Sequence, residues 1–224
     1  MRAFKVTGQD AASLFTQFRW PTPVGGAPGA WVEATDDGTL CERGIHACRT
    51  AQLPYWLGPR LWEIELGGEI VQGPYKLVAQ RGRLVREVAG WPELARPFAE
   101  SCARRVSELA AAQLRTAGAT EVARAAAVAL STEDWQRVAS AAQESAPPLP
   151  ALLTGCALDC WWDIDHGYYT MCAYVAATAF GCASTGTIEQ DMGSPGWHLE
   201  RATQARWLTD QLGVTDDDGE DASQ

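Results

Sequence analysis

No run of about 18 apolar residues occurs anywhere in the 224-residue chain, which excludes a membrane-spanning helix. The first ten residues lack the apolar stretch of a secretory signal, so a cytoplasmic location is expected. Cysteine is sparse: seven residues, an odd number, are scattered without a dense framework. That pattern argues against a disulfide scaffold and for reduced thiols. Lysine is scarcer still, since 16 of the 18 basic residues are arginine, a composition that with the abundant alanine fits a GC-rich genome. Base is outnumbered by acid, 18 to 28, for a net charge of −10. Half of that charge lies in Asp216, Asp217, Asp218, Glu220 and Asp221, in a tail (214–224) expected to be disordered. The rest of the chain has no global bias toward nucleic acid or an anionic membrane. Glycine-rich dinucleotide, P-loop and G-x-S-x-G motifs are all missing, leaving those enzyme classes without support.

What is present divides near Gly90, and the division predicts an α+β fold. Residues 1–90 carry β signals: a first strand at Ala3–Val6, then a loop rich in proline and glycine between Pro21 and Gly29. From Leu61 the chain alternates, with Leu61, Glu63 and Glu65 on one face and Trp62, Ile64 and Leu66 on the other. This is the pattern of a half-exposed antiparallel strand, and Gly67-Gly68 predicts a bend or bulge in it. A hairpin turn is expected at Gln80-Arg81-Gly82-Arg83. Residues 91–213 change to helical spacing, as in Phe98, Cys102, Val106 and Leu109. Ser131 with Asp134, and Ser194 with Pro195, mark helix starts, and Gly213 marks a stop. Three prolines within 144–150 predict a linker inside this helical part.

Three constellations carry chemistry. Cys41, His46 and Cys48 could hold a metal or a reactive thiol. The cysteines stand too far apart for a zinc knuckle and no second pair follows; no base or helix N-terminus activates the thiol. The plainer expectation is a buried strand with Ile45 and Ala47 on its inner side. Asp159, Asp163 and His166 fall at i, i+4 and i+7, one face of a helix, as in metal-binding bundles. The matching second copy is absent, and the alternative is an acidic solvent face with His166 at the helix end. The third set, Arg81, Arg83, Arg86, Arg96, Arg104 and Arg105, is interspersed with Glu87, Glu93 and Glu100, which favours a solvated mixed face over nucleic-acid binding.

With Cys41-Glu-Arg-Gly-Ile-His-Ala-Cys, Arg60-Leu-Trp-Glu-Ile-Glu-Leu-Gly-Gly and Ala3–Val6, residues 1–90 resemble a β-rich domain of bacterial and phage proteins. The whole chain resembles uncharacterised actinobacterial proteins, and its Ala-rich helices, ending in Glu200–Leu208, are similar to immunity-type helical proteins. Gly44-Ile-His-Ala, Tyr55 and Leu61–Gly67 are also similar to the middle of an ADP-ribosyltransferase fold. That similarity implies a nicotinamide pocket with His46, Tyr55 and Glu87 as its site residues, although the first strand lacks the His-Gly or Arg that holds the dinucleotide. The leading expectation is a cytoplasmic binding or interaction protein, its partner a protein or a small molecule, without membrane or nucleic acid. An ADP-ribosyltransferase-related enzyme using NAD, degenerate or active, is the second reading. A metal-dependent enzyme or sensor is the third. The residues name no cofactor.

Overall fold

The alternation of Trp62, Ile64 and Leu66 with Glu63 and Glu65 builds the central strand of the N-terminal sheet in the computed structural model, which describes residues 1–34 and 44–216. The fold is α+β. In order come β1 (Arg2–Thr7), β2 (Val32–Glu33), β3 (Ile45–Ala47), a short 3-10 helix (Thr50–Tyr55), β4 (Arg60–Gln72) and β5 (Leu77–Glu87). All pairings are antiparallel: β1 with β4, β4 with β5, and both β2 and β3 with β5. Just beyond β3 the chain returns to β1. There Phe4 N–H donates to Cys48 O and Cys48 N–H donates to Phe4 O, each at 2.8 Å. The path β1-β4-β5-β3 therefore closes on itself as a small ring.

Closure requires β4 and β5 to curl, and the register of the pair slips between Gly67 and Ile70. Gly68 adopts φ +74° there, a conformation glycine reaches without steric cost. The expected bend at Gly67-Gly68 is thus present. The expected turn at Gln80–Arg83 is not: β5 runs straight through it, and the hairpin closes earlier, where Gly73 N–H donates to Lys76 O. Gly82 is a glycine for another reason. A Cβ on it would stand 2.8 Å from Ile45 Cγ2 and 3.0 Å from Ile64 Cδ1, inside the ring. Ile45, Ala47, Trp62, Ile64, Leu66 and Leu77 form the core of this sheet, and each large one contributes roughly 1.5–3 kcal/mol by burial.

Among the described residues six α-helices follow: α1 (Trp91–Thr116), α2 (Thr120–Ala126), α3 (Thr132–Ser145), α4 (Pro148–Asp165), α5 (Tyr169–Thr185) and α6 (Pro195–Leu212). Ser131 caps α3 by accepting from Asp134 N–H at 3.2 Å. The predicted linker 144–150 shrinks to Ala146-Pro147. Pro148 and Pro150 sit in the first turn of α4, where a missing N–H breaks no intrahelical bond. Arg105 forms an ion pair with buried Glu200 at 2.6 Å, and Gln204 Nε2 donates to Glu200 Oε1 and to Ala173 O, both at 2.9 Å. This knot joins α1, α5 and α6. Among the described residues no helix is long and apolar enough to cross a membrane.

The chain separates into two units that differ from a cut at Gly90. One comprises Met1–Leu94 together with the chain from Ala205 on, and the other Ala95–Gln204. A specific contact holds the late segment to the β unit. The Asp216 carboxylate accepts from Thr50 N–H at 2.9 Å and from Thr50 Oγ1 at 2.7 Å. Asp216 belongs to the stretch expected to be a disordered tail; the remainder of that tail, 217–224, lies outside the described residues, as does Cys41.

Candidate functional site

A cavity of about 630 Å³ opens in the β unit, bounded by β1, β3, the chain at Val32–Ala34 and the loop Ser13–Phe18. Its size falls within the range of small-molecule sites. The loop is shaped locally by two residues in left-handed conformation, Ala11 (φ +59°) and Gln17 (φ +58°), and by Ser13 N–H donating to Phe18 O at 2.8 Å. Trp20 ends the loop. Its Nε1 donates to Ser13 Oγ at 2.9 Å, and the buried indole lines the cavity. Toward the mouth, Phe15 is 83 % exposed and Phe18 44 %.

The polar groups converge on one wall. Lys5 projects from β1 and is buried; its Nζ donates to His46 O at 2.9 Å and stands 4.6 Å from the centre of the Trp20 ring. Burial lowers its pKa to about 8, because the charged form has lost its water. His46 lies half-buried on β3, and its pKa falls to about 4 through burial first, then the charges of Lys76 and Lys5. The imidazole is therefore neutral at physiological pH, and its buried Nε2 has no hydrogen-bond partner among the described residues. Cys48 is buried beside them with its pKa pushed up to about 12 by burial. Such a thiol is inert as a nucleophile. Ile45 and Ala47 face the core, as the strand reading expected.

The three residues implied by the transferase similarity are not brought together. His46 lines the cavity, whereas Tyr55 ends the 3-10 helix with its ring 4.9 Å from that of Tyr75 and is not among the lining residues. Glu87 stands opposite Trp62 at the far end of β5 from Val78, the partner of His46, and is not among the lining residues either. Both its oxygens accept from Arg60, and that hydrogen bonding holds its carboxyl below the usual range. A carboxylate so engaged is a structural partner across β4 and β5.

Nor do Asp159, Asp163 and His166 assemble. Asp163 is buried and its carboxyl is pushed up to about 6, by burial and then by Asp159, while Asp159 itself is exposed. His166 Nδ1 lies 2.8 Å from Trp162 O, and the imidazole stacks on the Trp162 ring with centres 3.9 Å apart. Among the described residues no group of three or more His, Cys, Asp or Glu side chains could hold a metal ion. The arginine set is largely neutralised by carboxylates, as the mixed-face reading expected: Arg83 by Glu65 at 2.6 Å, Arg86 by Glu63, Arg96 by Glu100 at 3.0 Å.

Sequence reasoning missed Lys5 and Trp20. One signal was on the page: the chain has only two lysines, Lys5 and Lys76, and both line this cavity. No family model, curated protein or solved structure matches the chain.

Proposed function

We propose that this protein is a binding protein whose β unit takes a small molecule in the cavity beside Lys5 and His46. The observation that carries this reading is a concave, largely apolar site with a few polar groups converging on one wall, the usual form of a ligand pocket. Catalysis is not part of the reading. The cavity's imidazole is neutral, its thiol is inert, and Glu87 is held by Arg60 outside the cavity lining. What remains is shape, apolar surface and directed hydrogen bonding, which suit recognition.

The neutral dye N-phenyl-1-naphthylamine tests it. Saturable fluorescence enhancement with one site per chain is expected. Enhancement should fall at least tenfold in Ala34→Trp, which places an indole in the cavity wall, and in Leu14→Trp, which does so from an exposed position. A native protein that leaves the dye dark, or dye binding unchanged in both variants, would overturn the reading.

A further inference from the structure

Two ammonium groups and an unprotonated imidazole line this cavity, and among the described residues no carboxylate pairs with either ammonium. Lys5 Nζ donates to His46 O at 2.9 Å, Lys76 lines the same cavity, and the charges of both lysines bear on the imidazole. Among the described residues neither lysine forms an ion pair, although arginines such as Arg83, Arg96 and Arg105 do. Lys5 is the sharper case. Its side chain is almost wholly removed from water and is compensated by one carbonyl and one indole face. An isolated buried charge is costly unless paired. Glu33 is the one carboxylate on the described wall; it is exposed and contacts neither ammonium at ion-pair distance.

The ring explains why the charge cannot escape. Lys5 shares the face of β1 that carries Ala3, and Ala3 belongs to the core. The stem therefore crosses apolar surface, and the ammonium ends against Trp20 rather than in bulk solvent. Phe18, Trp56 and Leu14 line the same cavity and suit an aromatic body. We infer that the ligand is an organic anion with an aromatic or apolar body, its anionic group held by Lys5 and Lys76 and its body packed against Trp20 and Phe18. This rests on the cavity being a binding site, and it adds the charge and class of what binds.

His46 supports the same assignment. A neutral imidazole can donate one ring N–H to an anion's oxygen, while a protonated one would add a third charge to a site already holding two. The lysine cations themselves help to keep it neutral.

Two dyes separate the inference from the reading beneath it. 8-Anilino-1-naphthalenesulfonate is N-phenyl-1-naphthylamine with one sulfonate added, so the pair differs only by the anion. The sulfonate is expected to bind at least tenfold more tightly at pH 7. That preference should shrink at least fivefold in Lys5→Met and in Lys76→Met, and should decline between pH 7 and pH 10 in the native protein. Lys76 is only partly buried, so its variant remains informative if Lys5→Met fails to fold. Equal affinity for the two dyes, or a preference unchanged by both substitutions and by pH, would overturn the inference while leaving the binding reading intact. Failure of both dyes to bind would overturn both.

Discussion

At the scale of the residue, Lys5 makes stability depend on pH in an unusual direction. Folding lowers its pKa from 10.5 to about 8, so the folded state holds the proton less tightly than the unfolded chain. The resulting penalty is fully present below about pH 8 and vanishes as pH rises to 10.5, a difference of about 3 kcal/mol. Urea denaturation of the native protein and of Lys5→Met at pH 7 and pH 10.5 measures it. The variant is expected to gain on the native protein at pH 7, and the gain should be gone at pH 10.5. An equal difference between the two proteins at both pH values would show that the ammonium is better compensated than its surroundings imply. Lysine suits this position where arginine does not, because a guanidinium stays charged at any pH the protein meets.

At the scale of the element, the ring depends on a strand with a hole in its side-chain row. Gly82→Ala would push a methyl into Ile45 and Ile64 and is expected to cost about 1–3 kcal/mol. Thermal unfolding checks this, and Ile45→Ala should cost measurably less in the Gly82→Ala background than in the native one, since the two side chains compete for the same space. Gly82 also shows where sequence reading reached its limit. Flanked by Gln80, Arg81 and Arg83 it has the composition of a turn, and only the presence of Ile45 from another strand explains it as an interior position. The alternation from Trp62 to Leu66 was legible because one face meets water and the other does not. So were the caps at Ser131 and Ser194, which act within a few residues. Ring closure was not legible, because Phe4 and Cys48 join through backbone groups that every sequence possesses. The candidate site was half legible. His46 stood out as the one histidine in a strand, but Lys5 and Trp20 reach it from a strand and a loop whose sequences carry no sign that they meet.

At the scale of the whole molecule, the chain's later residues belong partly to its first unit. Asp216 accepts two hydrogen bonds from Thr50, a residue 166 positions earlier, at the start of the 3-10 helix. Asp216→Ala removes a charged acceptor from two donors and is expected to destabilise the β unit by about 1–3 kcal/mol. Amide hydrogen exchange at Thr50 reads this locally: the substitution should speed exchange there while leaving the α4 and α5 amides unaltered. Unchanged protection at Thr50 would mean that the contact contributes nothing. Much of the remaining negative charge lies beyond Asp216, so this one acid has a task that the net charge of −10 conceals. The same contact has a consequence for synthesis. The ribosome finishes Leu94 and then makes the roughly 120 residues that precede Asp216, which at ~5–20 residues per second takes roughly 6–24 s. Throughout that interval the nascent β unit lacks its last piece, and the contact between Thr50 and Asp216 closes only when synthesis is almost over.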